Sequence, residues 1–376
     1  MIYFDNAAST KPYSEVIDAY LKCALNNYEN PNSIHKNGMK YFNEINRIRQ
    51  NMLKQIGLNQ EYEILFTSGA TESNNLAILG YCRKNKNRGK KIITTKVEHE
   101  SVLNVFHQLE EEGFQVTYLN INEDGQISID EFKKVFSNET ILVSTMVINN
   151  EVGFKLNVEE VSKIVHTNPK CVLHIDAAQT LFKTQFNYSF ADLITISGHK
   201  IHGLKGVGAL IKKKKINLCP IVFGGGQENG LRSGTLDYPS IVALNEAINI
   251  NKKEFRKNLD YVTNLKEYLI KKLSEIDEVI IHNYKDASPY ILNISLKTKK
   301  GSVIVEALSN KDILVSSVSA CNSKSEAISY VLLALGKTNE EASNAIRISL
   351  SSENTLEECE EFIKVFTQIL SEIKGR

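Results

Sequence analysis

The sequence predicts an α/β protein: a large, mostly parallel sheet with helices on both faces, followed by a smaller α/β unit. Three observations carry this expectation. Short apolar runs of strand length alternate with helical patterns between residues 62 and 197. The 376 residues, 42% hydrophobic and 24% charged, are enough to bury a core in two domains, three at most, at about 150 residues each. After about residue 238 the rhythm changes to a long helical stretch and then to a second, shorter set of strands and helices.

Residues 12 to 28 and 39 to 56 read as amphipathic helices, the second with Tyr41, Ile45, Ile48, Met52 and Ile56 at helical spacing and a stop at Gly57. YEILFTS (62 to 68) is a short buried strand, followed at once by the helical TESNNLAILGYCRKN. KIITTK (91 to 96), a helix over 101 to 112, and VTYLNI (116 to 121) before an Asp124-Gly125 turn continue the series. TILVSTMVI (140 to 148), CVLHID (171 to 176) and ADLITIS (191 to 197) complete it, and KKKK at 212 to 215 reads as a solvated turn beside a strand. The second unit begins with IVALNEAINI and a charged helical run. It then shows strands at 279 to 283, 290 to 296 and 345 to 350, with helices near 302 to 309, 325 to 335 and 355 to 373.

Composition also excludes functions. Lys+Arg 45 against Asp+Glu 44 gives a net charge of +1, without the basic excess of a nucleic-acid binder. No apolar run approaches the roughly 18 residues of a membrane helix; ILVSTMVI at 141 to 148 is strand-sized. The start MIYFDNAAST has no basic segment followed by an apolar one, and the six cysteines form no C-x-x-C pair. The expected setting is a reducing cytoplasm.

In sheets of this kind ligands bind beyond the carboxyl ends of the strands. The residues found there are Ser68-Gly69-Ala70-Thr71-Glu72, Glu98-His99, Asn149-Asn150-Glu151, Asp176-Ala177-Ala178-Gln179 and Ser197-Gly198-His199-Lys200. Taken singly each has an ordinary structural explanation, a helix cap or a solvated charge. Together they form a chemical set. Ser68 to Thr71 lie between a strand and a helix start, where free N–H groups favour a phosphate. Asp176 offers a partner for a protonated ring nitrogen, Gln179 a donor to a ring oxygen, and His99 a surface to stack on the ring. Lys200 offers the amine for a Schiff base, with His199, His202 and Lys205 as cationic neighbours expected to favour its free-amine form. Those are the requirements of pyridoxal 5′-phosphate.

FTSGATESNNLAI, EHESV, NNEVG, HIDAAQ, SGHKIHGLKGVGAL, GGGQENGLRSGT and SSVSAC occur in this order. In these motifs the chain resembles the pyridoxal-phosphate cysteine desulfurases of the NifS/IscS type, in the class V aminotransferase superfamily, from FDNAAST at residue 4 to AIRISL at 345 to 350. The resemblance implies the aspartate aminotransferase-like fold, with residues 12–250 as the large cofactor-binding domain and 1–11 with 251–376 as the small one. It implies that Lys200 holds the cofactor covalently, Asp176 pairs with the pyridine nitrogen, Gln179 contacts the phenolic oxygen and His99 stacks on the ring as a possible proton carrier. Ala70, Thr71, Ser197 and His199 match the phosphate positions, and Asn150 the residue near ring and substrate. Thr235 matches a residue that reaches the phosphate of the other subunit, hence a homodimer. The glycines 224 to 226 before it read equally well as a loop that needs positive φ.

Arg347 resembles the arginine that binds the substrate carboxylate; the alternative for an arginine inside an apolar strand is a buried ion pair. Cys321 lies in SSVSACNSKSEA, a Ser- and Asn-rich run expected to be an exposed, mobile loop, whereas Cys23, Cys82, Cys359 and Cys171 fall in helical or strand patterns and read as packed side chains. The resemblance makes Cys321 the nucleophile that takes sulfur from L-cysteine as a persulfide, leaves alanine, and delivers sulfur to an acceptor such as an iron–sulfur scaffold or a tRNA-thiolation enzyme. Two departures concern the surroundings of these groups: Val318 stands where a small residue is common, and Leu204 where a proline is. Competing readings are a selenocysteine lyase, another class V aminotransferase that makes no use of Cys321, and a non-catalytic sulfur-carrier scaffold.

Overall fold

The computed structural model describes residues 1–317 and 328–373. The chain opens with strand β1 (Ile2–Tyr3) and helices α1 (Ser14–Asn26) and α2 (Lys36–Ile56). The ring of His35 accepts from Gly38 N at the start of α2, and Gly57 ends it with φ 84°, so the buried stripe contains the five residues that the spacing selects. Then come β2 (Tyr62–Thr67), α3 (Ala70–Asn85), β3 (Lys91–Thr95), α4 (Glu100–Glu111), β4 (Gln115–Leu119), α5 (Ile129–Val135), β5 (Thr140–Met146), α6 (Val158–Val165), β6 (Val172–Asp176), β7 (Leu193–Ser197) and β8 (Gly208–Lys213). These strands form one seven-stranded sheet in the order β2-β8-β7-β6-β5-β3-β4. Strand β8 is antiparallel to both neighbours and the remaining pairs are parallel. Every residue of β5, β6 and β7 is buried, as expected of strands covered by helices on both faces.

The KKKK expectation is corrected here. Lys212 and Lys213 belong to β8, and only Lys214 and Lys215 are exposed in a turn. Lys212 is buried because its amine pairs with Glu63 and donates to Ile216 O at 2.9 Å; Lys213 pairs with Asp192 at 2.8 Å.

Next come α7 (Tyr238–Ser274), β9 (Val279–His282), β10 (Ile291–Leu296), α8 (Gly301–Ser309), β11 (Ile313–Leu314), β12 (Ser316–Ser317), α9 (Tyr330–Ala334), α10 (Asn339–Ser343), β13 (Ala345–Ser349) and α11 (Leu356–Glu372). The helical stretch and charged run after residue 238 are one 37-residue helix. An antiparallel sheet, β12-β13-β10-β9, packs on α7 and α11 around Phe4, Leu269, Phe362 and Phe366. The N-terminus joins the second unit: β1 pairs with β11 in a two-stranded sheet, and Asp5 bridges to Ser349 of β13. Two contacts bring the second sheet to the carboxyl edge of the first. Arg347 of β13 donates to Asn150 O at 2.9 Å, and Asn293 of β10 donates to Glu151 O at 3.1 Å.

Candidate active site

A cavity of about 750 Å³ opens at that edge, and Ala70, Thr71, His99, Asn150, Asp176, Gln179, Ser197, His199, Lys200 and Arg347 all line it. The strand-end rule therefore finds its residues in one place. Those on the large sheet reach the cavity because a strand ends there and the chain turns, whereas Arg347 comes from within β13 of the smaller sheet.

One wall is the N-terminus of α3. Gly69 precedes it with φ 152°, a conformation that side chains rarely adopt, and a Cβ there would lie 3.9 Å from Ser197 Oγ. Strand β8 runs close behind: a Cβ on Gly208 would stand 2.7 Å from Gly69 Cα. These two glycines leave room for a group against the first N–H groups of α3. Ser197 Oγ is buried and, among the described residues, has no hydrogen-bond partner. A buried hydroxyl without a partner is costly, and an anion seated on α3 would supply one.

Opposite, Asp176 ends β6. Its Oδ1 accepts from Ala178 N at 2.9 Å and its Oδ2 from Asn74 Nδ2 at 2.8 Å. Asn74 also donates to Ser101 Oγ at 2.9 Å, and that hydroxyl lies 2.9 Å from His99 Nδ1. Ser101 N, which can only donate, contacts the same Nδ1 at 3.1 Å as His99 caps α4. Nδ1 is thus an acceptor, and the neutral ring carries its proton on Nε2.

Lys200 Nζ donates to Ala7 O at 2.6 Å and Ala8 O at 2.8 Å, so the N-terminal segment holds the amine at the cavity wall. Gln179 Nε2 donates to the same Ala7 O at 2.9 Å. Of the expected cationic neighbours, Lys205 lines the cavity with Lys200, but the two histidines carry no charge. Burial, and then the charges of Lys200 and Lys183, lower His199 to about 4, and burial lowers His202 to about 4. Both rings are uncharged at neutral pH and bring no positive charge to Lys200. His202 is structural, stacked on Tyr13 at 4.3 Å with its Nδ1 2.8 Å from Lys11 O. The buried amine near Lys200 is Lys183, which lies in none of the motifs.

For Arg347 both readings of the sequence have a counterpart. Its NH2 pairs with Asp5 Oδ1 at 3.0 Å and contacts Ser316 Oγ at 3.2 Å, while NH1 donates to Asn150 O. Its Nε and Asn150 Oδ1 are buried without partners among the described residues. A donor and an acceptor are thus both unmet near the cavity wall. Thr235 is exposed and does not line this cavity. Cys321 and Val318 lie outside the described residues. Cys23, Cys82, Cys171 and Cys359 are buried, as their patterns predict, and burial raises the thiols of all four.

The sequence reading missed Asn74, Ser101 and Lys183, and it gave Glu98 no role of its own. Asn74 and Ser101 stand one turn or less inside helices, on faces turned to the sheet. Glu98 is fully buried, accepts from Thr95 Oγ1 at 2.6 Å, and is raised to about 8 by burial and by the nearby Asp176. Glu151, also buried at the cavity, accepts from Ser329 Oγ at 2.6 Å and is raised to about 7 by burial. Pyridoxal 5′-phosphate fits this donor set: the α3 N-terminus and the unmet Ser197 hydroxyl suit its phosphate, the Asn74-held Asp176 its ring nitrogen, and Lys200 its aldehyde. Among the described residues no group of His, Cys, Asp and Glu is arranged to hold a metal ion.

Comparison with known proteins bears on the family and the fold. The model of the aminotransferase class-V family matches residues 2–362. The chain is 37% identical to the NifS/IcsS protein homolog of Lactobacillus delbrueckii subsp. bulgaricus, over 98% of this chain and 97% of the relative. It is 39% identical to the cysteine desulfurase IscS of Mannheimia succiniciproducens, over 99% and 93% of the two chains. A solved NifS-like protein superposes with a TM-score of 0.92 at 34% identity, covering 99% of this chain and all of the other. The chain belongs to the aminotransferase class-V family and, within it, to the cysteine desulfurases of the NifS/IscS type.

Proposed function

We propose that this pyridoxal-phosphate-dependent cysteine desulfurase binds L-cysteine in the cavity at the carboxyl edge of the large sheet. It removes the substrate's sulfur as a persulfide on Cys321 and leaves L-alanine. The observation that carries the reading is the convergence of Lys200, Asp176 and His99 with the α3 N-terminus on one cavity, where Ser197 Oγ is unmet. When bound, the cofactor supplies an electron sink that lets the α-carbon of an amino acid give up its proton.

The chain's own groups do the rest. Ala70, Thr71, Ser197 and His199 hold the phosphate, and the neutral His199 ring donates without adding charge. Asp176, oriented by two donors, favours a protonated ring nitrogen. His99 covers the ring face, with Nε2 as its proton-bearing atom. Arg347 takes the substrate carboxylate with the Nε that lacks a partner among the described residues, Asn150 lines the same wall, and this orients the α-hydrogen. Lys200 Nζ takes that proton. The Cys321 thiolate then attacks the substrate sulfur; the S–S bond forms as the C–S bond breaks, the electron pair left on Cβ is protonated to give the methyl group, and the proton held by Lys200 returns to Cα to give alanine.

We assign residues 12–250 to the cofactor-binding domain and 1–11 with 251–376 to the smaller one that carries Cys321. A homodimer, with Thr235 reaching the partner's phosphate, is supported by apolar side chains left exposed on the single chain: Tyr28 at 79%, Ile34 at 95% and Phe223 at 82%. The sulfur acceptor belongs to iron–sulfur assembly or tRNA thiolation, and the setting is the cytoplasm. No helix among the described residues is long and apolar enough to cross a membrane.

The test is to incubate the purified protein with L-cysteine and a thiol reductant and to measure sulfide and alanine for wild type, Cys321→Ala and Lys200→Ala. Wild type is yellow and releases both products in equal amounts, and each variant loses turnover. Full turnover in Cys321→Ala removes the persulfide step, and a colourless wild type that takes up no pyridoxal phosphate overturns the whole reading.

A further inference from the structure

Lys183 lies seven residues beyond the end of β6, and only 6% of it is exposed. Among the described residues no acidic group forms an ion pair with it. Its Nζ donates to Gln179 Oε1 at 3.0 Å, and the Tyr290 ring centroid is 6.0 Å away. The charged groups around it are cations: Lys200 in the turn after β7 and Arg347 on β13. The rings of His199 and His202, which also face it, are neutral at physiological pH. Burial, then those two cations, lowers Lys183 to about 7. An amine in such a place costs stability unless it has work there.

Its geometry names the work. A glutamine amide has an acceptor end and a donor end, and its neighbours determine which way it points. At one end Ala7 O can only accept, and it already receives the Lys200 amine as well as Gln179 Nε2. At the other end Lys183 provides the N–H that Gln179 Oε1 requires. A flipped amide would set N–H against the amine and oxygen against the Ala7 carbonyl. With the amide held in its observed sense, the second Nε2 hydrogen is left for the cavity, which Gln179 lines.

We infer that Lys183 is a positioning residue: by donating to Gln179 Oε1 it holds the Gln179 amide with its N–H end toward an anionic ring oxygen of the cofactor. This rests on the proposed cofactor site. It deepens that site by one residue that touches neither cofactor nor substrate.

The experiment is a double-mutant cycle on cofactor binding. Apo protein, stripped of cofactor and refilled, is titrated with pyridoxal phosphate and followed by its visible absorbance, for wild type, Lys183→Met, Gln179→Ala and the pair. Lys183→Met weakens binding about tenfold in the wild-type background, the scale of one hydrogen bond that serves a charged acceptor, and less than about twofold once Gln179 is alanine. Lys183→Gln, whose shorter side chain falls short of Gln179, gives the same pattern and guards against misfolding of one variant. The apo melting temperature of each single variant confirms that it folds. Equal losses in both backgrounds, or no loss in either, overturn the inference while leaving the cofactor site standing. Failure of wild type to take up pyridoxal phosphate overturns the site and, with it, this inference.

Discussion

Asn74 secures Asp176 from within α3: its Nδ2 donates to Asp176 Oδ2 at 2.8 Å and, from the same nitrogen, to Ser101 Oγ at 2.9 Å. One buried amide therefore joins the carboxylate at the end of β6 to the serine that orients His99. Replacing it with Leu leaves Asp176 with a single donor, Ala178 N, in a buried place. Lost donors of this kind cost about 1–3 kcal/mol. Asn74→Leu is expected to lower kcat/KM by tenfold or more and to raise the pH at which the bound cofactor's absorbance changes, read by spectrophotometric titration. An unchanged spectrum and rate would show that Asp176 does not depend on Asn74.

Arg347 is held by Asp5, Ser316 and Asn150 O, which fixes the plane of its guanidinium. A lysine keeps the charge and loses the fork. Arg347→Lys is therefore expected to raise KM for L-cysteine about tenfold or more while kcat stays within about threefold, because the carboxylate contact is made equally before and during reaction. Steady-state kinetics decide. An unchanged KM with a lowered melting temperature would leave Arg347 only as the structural partner of Asp5.

Much of this site was legible because the fold brings strand ends together and the sequence marks strand ends well. YEILFTS, TILVSTMVI and CVLHID are apolar, β-branched and short, and the polar residues after each fall on one edge by topology alone. Strand β8 was obscured by its composition: glycines 203, 206 and 208 and a lysine run imitate a loop, while the partners that make Lys212 tolerable, Glu63 and Ile216 O, are defined by cross-strand register. The same limit hid Asn74 and Lys183. Neither follows a strand directly, and each gains its role from a neighbour, Asp176 or Gln179, whose orientation only tertiary packing reveals. For His199 and His202, local reading supplied the right residues with the wrong charge, since burial decides whether an imidazole holds its proton.

Glu98 and Glu151 make stability depend on pH. Burial raises them to about 8 and about 7, above the roughly 4.3 of an unfolded glutamate. Between those limits the folded protein keeps protons that the unfolded chain has released. Stability is thus fullest below about pH 4.3 as far as these groups are concerned, falls as pH rises, and levels off above about 8. Glu98→Gln removes one such group while keeping its shape. The apo melting temperature of Glu98→Gln, measured by calorimetry, is expected to match wild type near pH 5 and exceed it near pH 8.5. An equal offset at both pH values would show that Glu98 does not hold a proton in the folded state.

The proposed division of labour between Lys200 and Cys321 separates two bonds, and the two can be read independently. Lys200 lines the cavity, where its amine donates to Ala7 O and Ala8 O, so the proposed α-proton step falls to residues on the large sheet. Breaking the C–S bond needs a thiolate that no buried cysteine supplies, since burial raises the Cys23, Cys82, Cys171 and Cys359 thiols. In deuterated buffer, Cys321→Ser is therefore expected to exchange the α-hydrogen of L-cysteine at a rate near wild type's proton-removal rate while forming no alanine. Lys200→Ala is expected to do neither, and mass spectrometry of recovered cysteine and alanine reads both outcomes from one sample. Alanine formed by Cys321→Ser would mean that sulfur leaves without this nucleophile. Exchange retained in Lys200→Ala would move the base to another residue that lines the cavity, such as His99.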